Sequence, residues 1–102
     1  MDFETPIDED PKKLRDDVGR YPTDLRLRFR LGAALCVREK YHEAIPELQK
    51  GMASPHVRLH AMKLLVEAYG ATGQSELAAR LREQFSRESG DESGPGSAPV
   101  LR

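Results

Sequence analysis

Two histidines stand four residues apart in a segment with helical periodicity, a spacing that lets two imidazoles reach one metal ion. These residues are His56 and His60. Two ligands make a weak site, and no Cys or acidic residue at a further matching spacing completes it. His56 also lies in the first turn of its predicted helix, where exposure is ordinary, and we expect no metal.

Other residues capable of chemistry are present, but not in catalytic patterns. The chain has no Gly-rich phosphate loop, no pair of Cys residues and no Ser in the setting of a nucleophile elbow. Its one cysteine, Cys36, lies in the apolar run GAALCV, which favours a buried thiol over a reactive one. Several acidic residues fit solvated helix or turn positions, some of them paired with Lys40 or Lys50: Asp16, Asp17, Glu39, Glu43 and Glu47. The sequence thus predicts neither an enzyme nor a cofactor.

Charge and hydropathy narrow the classes of partner. The 102 residues carry a net charge of −1, with eight acidic and four basic residues in 1–24 and eleven basic and seven acidic residues in 25–89. A near-neutral chain is a poor candidate for binding nucleic acid, and the four Arg residues of 25–38 point to several sides of one helix. There is no 18-residue apolar stretch and no basic leader, so we expect a cytoplasmic protein that does not enter a membrane.

Helical periodicity and capping residues divide the chain into five helices between two ends of different composition. Side chains that can cap a helix mark the starts, namely Asp10, Thr23 or Asp24, Ser54 and Ser75. The predicted helices are 11–19, 25–38, 42–53, 55–71 and 76–88, within a helical domain 10–88. We expect 1–9 to be a flexible acidic head and the Gly/Ser/Pro-rich segment 89–102 to be a disordered tail.

Two segments require a choice of interpretation. The run LRLRFRL alternates apolar and Arg residues as a strand does, but it continues without alternation into GAALCV and follows a capping residue, which favours a helix. Pro46 is compatible with the third helix if His42 lies near the cap, because the first four amides of a helix have no acceptor within it.

The chain also resembles itself at one constant offset, which we call the repeat offset. It aligns large apolar positions with each other and small positions with each other: Leu31 with Leu65, Leu35 with Tyr69, and Ala44 with Ala78. In a helical sequence, a period of this length, about 34 residues, is typical of stacked helix pairs that present a surface to another protein.

These residues resemble the tetratricopeptide repeat family, whose unit is two antiparallel helices in about 34 residues. The first unit reads Arg28, Leu31, Gly32, Leu35, Ala44, Leu48 and Pro55. The second reads Met62, Leu65, Val66, Tyr69, Gly73, Ala78 and Leu81. Residues 11–22 look like the second half of an earlier unit, so the resemblance covers about 11–88. Arg28, Met62, Val66 and Arg82 depart from the pattern, and an unrelated five-helix bundle is the alternative.

The resemblance implies an all-α, right-handed helix-turn-helix repeat stack of about five helices, an α-solenoid fragment. It also implies that a ligand lies along the concave face, formed by the first helix of each pair. The matching residues here are Arg26, Phe29, Arg30, Ala33 and Val37 on the second helix, and His60, Lys63, Leu64 and Glu67 on the fourth. A competing interpretation is that the basic residues are solvated surface and that Phe29 belongs to the core.

The function expected from this face is non-catalytic protein–protein interaction. An apolar floor with an Arg and Lys rim suits an unidentified protein or peptide that carries acidic side chains. Family members that clamp a chaperone's terminal carboxylate use Lys and Asn where this chain has Phe29 and Ala33, so that clamp is missing. The acidic head, with Phe3 and Ile7, is itself a candidate ligand. The alternative function is a structural assembly subunit that homo-oligomerises through the same apolar surface.

Overall fold

The computed structural model describes residues 9–90, which fold into helices joined by short turns. The helices are α1 (Pro11–Arg20), α2 (Leu25–Val37), α3 (Tyr41–Gly51), α4 (Arg58–Ala71) and α5 (Ser75–Ser89). No strand occurs among the described residues, so the prediction of an all-α stack of five helices is confirmed and the strand interpretation of LRLRFRL was wrong. The predicted head and tail lie outside the described residues, apart from Glu9 at one end and Ser89 and Gly90 at the other.

Two aspartates begin helices as predicted. The Asp10 carboxylate accepts a hydrogen bond from the Lys12 amide at 3.0 Å. Asp24, and not Thr23, caps α2 and accepts from the amides of Arg26 and Leu27, both at 3.1 Å. Because the first amides of a helix have no acceptor within it, each such cap contributes about 1 kcal/mol to helix stability.

The five helices form two layers. Each helix packs against the next one along the chain, and α2 also approaches α4 with Cα atoms within 8 Å. The backbones of α1 and α3, and of α3 and α5, do not come this close. The layer of α2 and α4 is therefore the tighter, inner side of the stack, and α1, α3 and α5 form the outer layer.

The core contains the positions that the repeat offset identified. Its largest fully buried side chains are Leu31, Leu35, Leu48, Met62 and Leu65. The small residues Ala44 and Ala78 are 0% and 4% exposed, which agrees with their expected role where helices cross closely. Each buried large apolar side chain stabilises the fold by about 1.5–3 kcal/mol relative to its exposure to water.

The turns of the hairpins α2–α3 and α4–α5 repeat the same backbone geometry. Glu39 and Gly73, which the repeat offset aligns, both have positive φ angles, of 59° and 82°. The residues that follow them, Lys40 and Gln74, have φ and ψ angles of −93° and 64°, and of −96° and 61°. Their amides donate to the carbonyls of Leu35 and Tyr69 at 2.9 and 2.8 Å, respectively. The repeat seen in the sequence is thus a repeat of structure.

Pro46 lies deeper in its helix than predicted. Because α3 begins at Tyr41, Pro46 is its sixth residue and not one of the first four amides. The His42 carbonyl therefore lacks its usual helical donor. The pyrrolidine ring is exposed, so it does not disturb the buried face of α3.

Two predicted caps, Ser54 and Ser75, were wrong. Residues 52–57 continue from α3 as successive turns, in which the amide of Ser54 donates to Gly51 and its carbonyl accepts from Val57. Ser54 is buried in this connection, and α4 begins only after Val57. Gln74 takes the cap position of α5, so Ser75 is the first residue of that helix.

Candidate functional site

The nine residues predicted to bind a partner lie on α2 and α4, the two helices of the inner layer. Six of them are exposed, namely Arg26, Arg30, Val37, His60, Lys63 and Glu67. The other three, Phe29, Ala33 and Leu64, are half-buried. Since the less exposed members are apolar and most of the exposed ones are charged, the set has the composition of a groove with an apolar floor. We call these nine residues the inner face.

Phe29 and His60 join the two helices of this face. Their ring centroids lie 6.4 Å apart with an angle of 31° between the ring planes. Beneath Phe29 lies Gly51 of α3, where a Cβ atom would come within 3.2 Å of the Phe29 Cβ. Phe29 is therefore consistent with both the core and the binding-face interpretation, because it packs against the core and also borders the surface between α2 and α4.

Arg30 already holds a carboxylate. Its Nε donates to Oε1 of Glu9 at 3.1 Å, and its Nη2 donates to Oε2 of the same residue. The hydrogen bonds from Arg30 to the Glu9 carboxylate raise the pKa of the guanidinium above its ordinary value. This two-point pairing is the geometry by which Arg recognises carboxylates most specifically. Sequence reasoning assigned Glu9 only to the acidic head and did not pair it with Arg30.

Beside Arg30 lies an open hollow of about 570 Å³ between the end of α1 and the start of α2. Its lining combines acidic, basic and apolar side chains: Asp17, Tyr21, Asp24, Arg26, Leu27 and Arg30. The two Arg residues of the inner face thus border a concave surface to which α1 also contributes. The contribution of α1 to the candidate site could not be predicted from the α2 and α4 periodicity alone.

The opposite end of α2 has a different electrostatic character. Burial raises the pKa of the Cys36 thiol to about 12, and the Glu67 carboxylate adds to the rise. Desolvation also raises the pKa of Tyr41, again with a contribution from Glu67. Glu67 thus acts on groups of both α2 and α3. Arg26 and Arg30 lie toward the start of α2, whereas the Glu67 carboxylate of α4 acts on Cys36 near the end of α2.

Arg28 turns away from the inner face, as its helical position predicts. Its Nη1 pairs with Oε1 of Glu47 on α3 at 3.0 Å, and its Nε donates to the carbonyl of Pro22 at 3.1 Å. Glu47 is half-buried in this pair, so the prediction that it is solvated or pairs with a nearby Lys was wrong. Glu43 is exposed, but it pairs with Arg15 of α1 at 2.8 Å. These pairs join residues 19 and 28 positions apart, so local helical spacing carries no signal for them.

The histidine pair does not have the geometry that its spacing suggested. His56 lies in the turn before α4, whereas His60 lies in the helix itself. Among residues 9–90, no group of three or more His, Cys, Asp or Glu side chains is arranged to hold a metal ion. Within the same range, no helix has the length and apolar character required to cross a bilayer.

Comparison with protein-family models, with curated proteins and with solved structures gives no match.

Proposed function

We propose that this chain is a non-catalytic protein-interaction module of the tetratricopeptide type, which binds its partner on the inner face. The observation that carries the proposal is the bidentate Arg30–Glu9 pair on α2. It lies on the same helix as Phe29, whose ring meets His60 of α4. A basic side chain that binds a carboxylate through two hydrogen bonds, next to an exposed edge of aromatic surface, is suited to a peptide with acidic and apolar residues.

The repeated turn geometry supports the family part of the proposal. Glu39 and Gly73 adopt the same left-handed conformation, and their separation equals the repeat length of that family. The inner layer of α2 and α4 corresponds to the surface that such stacks use for their ligands. The cytoplasmic location remains a prediction from the sequence.

The state of the one cysteine supports the non-catalytic part. The thiolate, and not the thiol, is the nucleophile in cysteine chemistry. Cys36 is buried and its pKa is raised to about 12, so the thiol stays protonated at neutral pH. A group in this state packs as a small apolar side chain and does not attack a substrate.

The direct test is a titration of the full chain, labelled with ¹⁵N, with two peptides that differ only in charge. One peptide carries Glu and Phe residues, and the other carries Lys in place of every Glu. We expect amide shifts on α2 and α4 with the acidic peptide, and their loss in Arg26→Gln. Arg80→Gln on α5, an exposed helical Arg outside the inner face, is the matched control. Equal binding of both peptides would contradict the proposal.

A mass measurement in solution separates this proposal from the assembly subunit. A monomer whose mass does not change with concentration supports a receptor surface. A stable dimer would instead support homo-oligomerisation, and its dissociation into monomers on Phe29→Ser substitution would place the dimer contact on the inner face.

A further inference from the structure

We infer that the N-terminal segment 1–8 docks on the inner face of its own molecule and acts as an internal acidic ligand that competes with the partner. This inference rests on the proposed function, because it assigns an occupant and a regulator to the same surface. Three observations carry it: the position of Glu9, the chemistry of the segment and its reach.

The first observation is that the first described residue, Glu9, contacts the inner face at Arg30. Glu9 immediately precedes the Asp10 cap of α1. Its carboxylate accepts hydrogen bonds from Arg30 of α2, 21 positions away. The Glu9 side chain is 26% exposed, so much of its surface is covered in this position. Segment 1–8 is therefore attached to a residue that already lies on the basic end of the proposed site.

The second observation is that the composition of the segment complements the face. Residues 1–8 contain three acidic residues, Asp2, Glu4 and Asp8, and three large apolar ones, Met1, Phe3 and Ile7. The inner face offers the basic residues Arg26 and Lys63 and the aromatic floor at Phe29. A ligand with acidic side chains between apolar ones is the kind that the proposed function calls for.

The third observation is that the segment is long enough. Eight extended residues span up to about 26–29 Å, whereas the 13 residues of α2 measure about 20 Å along the helix axis. A tether this short raises the effective concentration of the segment to the millimolar range. A docking interaction too weak to detect between separate molecules is therefore sufficient within one molecule.

The experiment uses the full chain with a nitroxide label on a cysteine introduced by Thr5→Cys. Cys36 is buried, so the introduced thiol is the one that reacts. We expect the label to broaden the amide signals of Phe29, Arg30 and Lys63 and to spare the exposed side of α5 around Glu83. The double substitution Arg26→Gln/Arg30→Gln should remove the broadening. Broadening on α2 without broadening of Lys63 on α4 would overturn the inference, because the Glu9–Arg30 contact alone keeps the label near α2.

A mixture of ¹⁴N chains that carry the nitroxide with ¹⁵N chains that lack it determines whether the segment docks on its own molecule or on another one. Broadening that persists only within one molecule supports the inference. Broadening of the same strength in the mixture would mean that the head binds a second copy, and it would overturn the intramolecular assignment.

A competition arm separates this inference from the proposed function. Neutralising the head with Asp2→Asn/Glu4→Gln/Asp8→Asn should increase the affinity for the acidic Glu/Phe peptide by at least about fivefold. The control Asp91→Asn/Glu92→Gln removes two charges from the other end of the chain and should leave the affinity unchanged. Equal affinity of parent and head variant overturns the inference while leaving the proposed function intact. If the peptide binds neither protein but broadening is seen, the proposed function fails and the docking stands.

Discussion

The hairpins α2–α3 and α4–α5 have the same turn geometry but different residues where their helices meet. In the first hairpin, Gly32 faces Leu48 so closely that a Cβ atom on the glycine would lie 2.6 Å from the Leu48 Cγ. The corresponding positions of the second hairpin hold Val66 and Arg82. Leu48 is 0% exposed, whereas Arg82 is exposed. The packing of a glycine against a fully buried leucine is therefore a property of the first hairpin.

The charged contacts of the two hairpins differ as well. The half-buried pair between Arg28 and Glu47 has Met62 and Leu81 as its counterparts at the repeat offset. The second hairpin instead carries a bidentate pair at its open end, between Arg58 and Glu88, with N–O distances of 2.6 and 2.7 Å. The comparison shows that one backbone frame can be held together by different side-chain interactions.

The largest expected difference between the hairpins comes from replacing the matched pair Leu48 and Arg82 by Ala. Leu48→Ala removes a fully buried side chain and should lower the free energy of unfolding by about 2–5 kcal/mol. Arg82→Ala removes an exposed one and should change it by no more than about 0.5 kcal/mol. Urea denaturation of the two variants provides the measurement. Equal losses would show that the hairpins are packed alike and that the comparison is wrong.

Gly32→Ala should destabilise the chain by about 1–3 kcal/mol, although Ala is the better helix former. The added Cβ would lie 2.7 Å from a Leu48 Cδ and 3.3 Å from the Leu48 amide nitrogen, and Leu48 is fully buried. The control is Gly70→Ala in α4, where nothing lies within 4 Å of an added Cβ and a gain of about 0.5–1 kcal/mol is expected. In a Leu48→Ala background, Gly32→Ala should no longer be destabilising. Persistence of the full loss there would contradict the steric explanation.

Substituting Arg28 alone should cost more than substituting the whole ion pair. Arg28→Met leaves the Glu47 carboxylate, which is 15% exposed, without its guanidinium, at a cost of about 1–2 kcal/mol. Arg28→Met/Glu47→Leu installs the apolar residues of the second hairpin and should return the free energy of unfolding to within about 1 kcal/mol of the parent. Thermal unfolding of the single and the double variant provides the measurement. A double variant that loses more stability than Arg28→Met would mean that the apolar pair of the second hairpin cannot replace the ion pair of the first.

The smallest expected effect concerns the Arg58–Glu88 pair and depends on pH. Hydrogen bonds from Arg58, and then from Gln84, lower the pKa of Glu88 to about 2. A carboxylate with a lowered folded-state pKa stabilises the fold above its unfolded pKa of about 4.3 and loses this contribution as the pH falls toward 2. Glu88→Gln should therefore lower Tm at pH 6 but not at pH 2. Glu83→Gln, on an exposed part of α5, is the control. A Tm deficit that is the same at both pH values would contradict this origin.

Local signals predicted most of the fold. Asp10 and Asp24 begin helices where their capping chemistry indicated, and Gly73 occupies the left-handed turn position. The late start of α4 escaped prediction because Ser54 is buried within a series of turns and does not cap the helix. Glu39 escaped because non-glycine residues seldom adopt a positive φ.

The candidate site was less accessible to sequence reasoning. The family resemblance selected Phe29 and His60, which the fold brings together. Pairs such as Arg30 with Glu9 join residues far apart in the chain, and their formation depends on how α1 crosses α2. No local spacing encodes that crossing, so the occupied state of Arg30 emerges only from the three-dimensional structure.

The left-handed conformation of Glu39 has a practical consequence for protein engineering. A side chain with a Cβ atom costs about 1–2 kcal/mol in this conformation, whereas glycine adopts it freely. The equivalent turn of the second hairpin already uses Gly73 for the same purpose. The substitution Glu39→Gly should therefore give a more heat-resistant protein. The change lies at the tip of a hairpin, remote from Arg26 and Arg30 at the basic end of the inner face.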